Sequence, residues 1–172
     1  ICVPQQVLPT QLERGAVYYS MYTHSQRQDV GSVATGLLDD LEFKGVYPSL
    51  AAWDFVTFAL SVGAADLAVP RGTSADGWTR IIELDVALQN PAPFMLKQRH
   101  IEEMLRLLTG DFWHLRFLDG GRARPQSTAP ARFDADCVSL LSGGMDSLVG
   151  AIDLTAMGRK PLFVSQLVKG NK

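Results

Sequence analysis

Residues 80–88, RIIELDVAL, set Ile82, Leu84, Val86 and Leu88 against Glu83, Asp85 and Ala87. A period of two predicts a strand with one buried face. Residues 111–118, DFWHLRFL, repeat the pattern with Trp113, Leu115 and Phe117 on one side. Residues 16–23, AVYYSMYT, are rich in β-formers and predict another strand. Ser49, after Pro48, can cap a helix. That helix runs through LAAWDFVTFALSV and is expected to stop near Gly63. It is apolar on most faces, which predicts a central position. Residues 30–41 fit either a short helix or an irregular segment. In residues 90–110 Asn90 and the prolines give a helix start and Gly110 a stop. Ile101, Met104, Leu105 and Leu108 fall on one face of it. Residues 1–118 therefore read as an α+β domain of strand, helices, strand, helix and strand.

The composition then changes. Residues 119–136, DGGRARPQSTAPARFDAD, hold few large apolar residues and predict a linker between domains. Beyond it come a strand at 137–141, a Ser-Gly-Gly loop, a helix at 145–157, a stop at Gly158 and a second strand at 162–166. Met145, Leu148, Val149, Ile152 and Ala156 make one apolar helix face. Residues 137–172 thus form one βαβ unit of a doubly wound α/β sheet. Parallel strands need neighbours and cover on both faces, so the unit begins a sheet that these residues do not finish. The opening Ile and the end just after a strand-like run read as a piece of a longer protein.

The chain has 172 residues, 47% hydrophobic and 20% charged, in the proportions of a globular protein. Its net charge of -2 gives no strong nucleic-acid signal, since a general nucleic-acid binder shows a basic surplus. The most apolar window, residues 53–62, is about half of the roughly 20 residues of a membrane span, and it contains Asp54. No membrane is expected. The first residues lack a basic stretch followed by an apolar one, the pattern of a secretory signal. Cys2 and Cys137 form no CxxC pair, and free cysteines suit a reducing cytoplasm.

The chemistry concentrates at CVSLLSGGMDSLVG, residues 137–150. A strand that enters a helix through glycines leaves the first helical N–H groups unpaired and aimed outward. The helix dipole adds partial positive charge there. The product is an anion cradle built from Gly143, Gly144 and the backbone at Met145. Ser142 and Ser147 add hydroxyls. Asp146 is out of place beside an anion unless Mg²⁺ accompanies phosphates, or unless its carboxylate orders the loop by accepting N–H bonds. The string is neither GxxxxGK[ST] nor GxGxxG.

SGGMDS resembles the SGGxDS signature of the PP-loop ATP pyrophosphatases at Ser142, Gly143, Gly144, Asp146 and Ser147. Residues 134–172 resemble, within that group, the QueC family. More closely they resemble the longer QueC-like proteins of anti-phage operons, QatC and its CBASS counterpart, which carry an extra N-terminal α+β domain. The resemblance implies ATP and Mg²⁺ as cofactors and a PP-loop fold. It implies adenylation of a carboxy-deazaguanine and its transfer to ammonia or to an amine of a partner protein from the same operon. Ser142 and Asp146 would be catalytic, residues 142–147 would bind ATP, and Asp146 would meet the metal. The family's zinc site uses C-terminal cysteines absent from these residues, so zinc is expected only outside them. The chain alone, with one βαβ unit, is expected to be inactive. Two other readings stand beside this one: another PP-loop amidotransferase or tRNA-modifying enzyme, or a module that recruits a partner protein.

Other candidates read as structural. Asp66 and Arg71 are expected to form a local ion pair. Trp53 and Trp113, on patterned elements, are expected in the core. His24, His100 and His114 have no metal-ligand spacing. Arg122 and Arg124 read as solvated linker charges. Lys169 and Lys172 follow the second strand, at the sheet edge where α/β proteins take ligands. Gly150, in mid-helix, is expected to allow close packing against a strand.

Overall fold

A computed structural model describes residues 1–126 and 131–165. Gln166, Lys169 and Lys172 lie outside the described residues, as does the middle of the expected linker. The chain divides into two compact units, Ile1–Pro130 and Ala131–Lys172.

The first unit is built on a five-stranded sheet of β1 (Cys2–Val3), β2 (Tyr18–Met21), β3 (Val30–Val33), β4 (Ile81–Ala87) and β5 (Phe112–Leu118). The order is β3-β2-β1-β4-β5, and every pairing is parallel. The unit is therefore parallel α/β and not the α+β domain that the patterning suggests. β1 is central yet only two residues long, too short for any periodicity to reveal. Residues 30–41 resolve into β3 and the start of α1 (Leu37–Phe43).

The longest helix, α2 (Leu50–Ala68), begins as expected, with the Ser49 hydroxyl accepting from the Ala52 N–H at 3.2 Å. It does not stop at Gly63. Ala64 and Ala65 are buried in the core and carry the helix on. It ends at Val69, which is extended because Pro70 follows. α2 is the one helix among the described residues long and apolar enough to cross a membrane by length and composition. Here one face of it, with Trp53 and Phe58, packs in the core while Phe55 and Leu67 are exposed, so it is not the all-round buried helix expected, and its buried polar groups bond within the protein. The Asp54 carboxylate accepts the N–H groups of Gln89 and Asn90, both at 2.9 Å.

α3 (Ala92–Thr109) ends at Gly110, whose φ of 77° supplies the left-handed cap. Of its expected apolar face, Leu105 is buried and Ile101 packs on the core, but Met104 and Leu108 face solvent. Ile82, Leu84 and Val86 pair in register with Trp113, Leu115 and Phe117, and all six are buried. Phe58 of α2 and Phe94 of α3 meet Phe117 over this face, with ring centroids 5.5–5.9 Å apart. Trp53 and Trp113 are in the core, as expected.

Charge is buried as well. Asp111, fully buried just before β5, accepts from the Arg80 backbone N–H at 3.0 Å and from its guanidinium at 2.6 Å. Arg80 also bonds the Asp66 carboxylate and the carbonyls of Asp66 and Val69 at the end of α2. Arg71 closes on Asp111 from outside at 2.9 Å. Asp66 and Arg71 thus do not pair with each other, but meet through Arg80 and Asp111. His24, His100 and His114 join no metal-ligating group, and the described residues contain none.

The second unit is a βαβ turn: β6 (Cys137–Leu140), α4 (Met145–Ala156) and β7 (Pro161–Val164), with β6 and β7 parallel. Gly158, at φ 75°, follows the helix end as expected. The Asp136 carboxylate accepts from the Lys160 N–H at 3.0 Å and from Arg159 Nε at 2.9 Å, tying the start of β6 to the start of β7. Met145, Leu148, Val149 and Ile152 face solvent, and Ala151 is the buried residue of α4. A two-stranded sheet has too little surface to cover them. A Cβ at Gly150 would meet nothing, so close packing does not account for this glycine.

Arg80 beside it holds the Asp111 carboxyl down at about 2, against an ordinary 3.8. A depressed carboxylate contributes stability above its unfolded value and loses it as pH falls through the folded one. Urea unfolding of the protein should therefore show this contribution whole above about pH 5 and vanishing between about pH 4 and 2. Asp111→Asn should remove that part of the acid dependence. It should also cost about 3 kcal/mol at neutral pH, because the buried Arg80 keeps only the half-exposed Asp66 as a charge partner. An unchanged acid profile would refute the assignment.

Candidate functional site

The Ser-Gly-Gly loop joins β6 to α4 in the second unit. Leu141 still bonds the ladder, its N–H donating to the Val164 carbonyl at 2.8 Å. The chain then turns through Gly143, whose φ of 86° is the left-handed conformation that glycine adopts without strain. Gly144 is extended and occupies the N-cap position of α4, with no side chain to cap the helix. The first helical bond runs from the Leu148 N–H to the Gly144 carbonyl at 3.2 Å. The N–H groups of Met145, Asp146 and Ser147 precede it, and among the described residues they have no acceptor.

The two serines meet at this turn. The Ser142 hydroxyl donates to the Ser147 hydroxyl at 3.1 Å, and Ser147 donates to the Gly144 carbonyl at 2.8 Å. They hold the loop closed across its mouth and stay within reach of whatever the helix end binds. Ser142, Gly143, Gly144, Met145 and Asp146 are exposed and Ser147 partly so. A Cβ at Gly143 would meet no protein atom, so the space its missing side chain leaves opens outward. Asp146 lies in the first turn of α4, and among the described residues its carboxylate accepts no hydrogen bond. Loop ordering by that carboxylate is therefore absent here, and its oxygens are free for a cation.

The structure thus brings all six expected residues, 142–147, to one helix N-terminus. Free N–H groups, two hydroxyls and an unoccupied carboxylate fit a polyphosphate with Mg²⁺. Cys137, at the start of β6, is no rival nucleophile. Burial, and then Asp136 beside it, push its thiol up, away from the reactive thiolate.

Sequence reasoning passed over the residues that bury charge: Arg80, Asp85 and Asp111. Asp85 pairs with Arg116 on the sheet face away from the aromatic core. These two line a cavity of about 490 Å³ in the first unit, together with Glu13, Arg14, Leu84 and Val69. Nothing there resembles a catalytic set, and the chemistry suggested by SGGMDS lies elsewhere. Arg124 is not a free linker charge, whereas the Arg122 guanidinium bonds no group among the described residues and only its backbone is held. The Arg122 carbonyl accepts from Trp53 Nε1 at 2.8 Å, and the Arg124 guanidinium donates to the Pro48 carbonyl at 3.1 Å.

Gly143→Ala should strain the loop by about 1–2 kcal/mol, since alanine resists a left-handed φ. Amide exchange at Leu148, whose N–H makes the first helical bond to the Gly144 carbonyl, should quicken, while β4 and β5 stay protected. Equal exchange in both proteins would show that the loop does not need this glycine. No family model, curated protein or solved structure matches the chain.

Proposed function

We propose that the second unit is the phosphate-binding start of a PP-loop ATP pyrophosphatase of QueC type. In this reading the protein is a cytoplasmic ATP-dependent ligase of phage defence, which activates a carboxy-deazaguanine and passes it to ammonia or to an amine of a partner protein. One observation carries the reading: the unpaired N–H groups at the start of α4 stand together with Ser142, Ser147 and the uncommitted Asp146 carboxylate.

The residues divide the work by their chemistry. The N–H groups of Met145, Asp146 and Ser147 hold the pyrophosphate end of ATP, favoured by the helix dipole. Gly143 and Gly144 let phosphate oxygens approach the backbone. Ser142 and Ser147 exchange their mutual bond for bonds to phosphate. Asp146 would hold Mg²⁺, which, when bound, supplies positive charge against the phosphates.

The substrate carboxylate oxygen attacks the α-phosphorus, and the bond to the β-phosphate oxygen breaks, releasing pyrophosphate. The nitrogen nucleophile then attacks the acyl carbon. The C–O bond to AMP breaks, and a proton passes from nitrogen to solvent. Donors fixed at the pyrophosphate end favour the first step, because charge grows there as the bond breaks.

The full-length protein should release AMP and pyrophosphate when incubated with ATP, Mg²⁺ and carboxy-deazaguanine. Ser142→Ala and Asp146→Asn should each lower pyrophosphate release by about 10²-fold. Undiminished release from both would sink the site. Mass spectrometry separates the acceptors. A free amide or nitrile means ammonia is the nucleophile, and a mass increase on the operon partner means a protein ligase. AMP release without either product would retain the loop chemistry and discard the substrate.

A further inference from the structure

β1 is the central strand of the first sheet, yet it is only Cys2–Val3. Cys2 stands opposite Tyr19 of β2 and Val86 of β4. β4 begins well before that point, at Ile81, and the chain entering β2 lines the other side as Gly15, Ala16 and Val17. Both neighbours pair with β1, which sets them two strand spacings, about 9.6 Å, apart. Ahead of Ile1 that spacing holds the cavity of about 490 Å³ noted beside Asp85 and Arg116.

The backbone shows what this space is shaped for. The Arg80 carbonyl accepts from the Phe112 N–H at 2.9 Å, and the Leu88 N–H donates to the Leu118 carbonyl at 2.8 Å. Even-numbered residues of β4 therefore bond β5. Ile81, Glu83 and Asp85 turn their backbone groups the other way, because hydrogen bonding alternates along a strand. Only Cys2 meets that edge. Among the described residues the Asp85 N–H and both backbone groups of Glu83 have no partner. Across the gap, the Ile1 ammonium donates to the Val17 carbonyl at 2.9 Å, and the Ile1 carbonyl accepts from the Tyr19 N–H at 2.9 Å. Ile1 thus already bonds β2 as a strand residue does, with its nitrogen at the cavity. The walls differ in character. Ala65, Val69 and Leu84 are apolar, and Arg14, Glu83 and Asp85 are charged.

We propose that this cavity is a strand position and not a ligand pocket, and that the segment immediately preceding Ile1 in the full-length protein fills it as a parallel continuation of β1. A second copy or a separate peptide would have to meet the Ile1 nitrogen end-on inside the sheet. A continuous chain needs only the next peptide bond. The register follows from Cys2 opposite Val86. The first residue before Ile1 stands opposite Leu84, its N–H donating to the Glu83 carbonyl and its carbonyl accepting from the Asp85 N–H. It shares the core face of Cys2 and is apolar, as is the third residue, opposite Ile82. The second, opposite Glu83, lies against the charged wall and is polar. Four residues, about 13 Å of strand, reach the start of β4.

Amide exchange and cross-strand contacts in the unaltered full-length protein test this. The Leu84 N–H, turned toward β5, is the internal reference. With the strand in place, the Glu83 and Asp85 N–H groups should exchange within about tenfold of Leu84. Nuclear Overhauser contacts should join Asp85 to the residue just before Ile1. Exchange of Glu83 and Asp85 about a hundredfold faster than Leu84 would overturn the proposal. So would protection that is lost on dilution, which means a second copy in the slot, or contacts from Asp85 to any other segment. A charged residue at the first position before Ile1 would overturn it as well.

Discussion

The Arg80–Asp111 pair is the constraint on which the first unit depends. Arg80 stands just before β4, Asp111 just before β5, and both are buried. The guanidinium reaches onward to the last turn of α2 through Asp66 and Val69. One ion pair therefore fixes the starting points of two parallel strands and the end of the helix above them. A buried pair of this kind is weak evidence for net stability, because both charges were taken out of water. Its physical effect is positional. A one-residue slip of β4 against β5 would break the Arg80–Asp111 pair, leaving Arg80 only Asp66 and Asp111 only Arg71, and it would turn Ile82, Leu84 and Val86 off the core face.

That register decides where the rest can sit. With β4 and β5 fixed, Phe58, Phe94 and Phe117 close over one face. Asp54 reaches the backbone after β4, and Trp53 stacks on Tyr22 at 4.4 Å. The Tyr22 hydroxyl bonds Thr57 at 2.6 Å, and burial pushes its ionisation up to about 12, so it stays a neutral hydrogen-bonding group. The carboxyl edge of the sheet is thereby built as a firm platform. Residues 119–124 are bonded to that edge through Leu88, Gln89 and Trp53.

The second unit obeys a different rule. Its loop geometry comes from local chemistry: a left-handed Gly143, an uncapped Gly144, and serines three and five residues apart from their partners. None of this requires distant contacts. The apolar side chains of α4 show the opposite limit. Met145, Leu148, Val149 and Ile152 follow helical spacing, yet two strands cannot bury them. Spacing shows which residues share a face, and only neighbouring structure shows what covers it.

Local signals were legible in the sequence because their causes are local. Period two in β4 and β5, Ser49 as a cap, Gly110 and Gly158 as stops, and the gathering of residues 142–147 at one helix end each follow from steric and hydrogen-bonding preferences within a few residues. Gly63 misled, because burial of Ala64 and Ala65 outweighs the roughly 1 kcal/mol that a mid-helix glycine costs. The tertiary structure alone decided the parallel order of the sheet, the central place of the two-residue β1, and the partners of Arg80, Asp111, Asp66 and Arg71. It also decided that residues 119–124 are seated and not free. These are pairings between groups distant in the chain, set by which charge or backbone group is left without water on folding, and no short-range pattern encodes that.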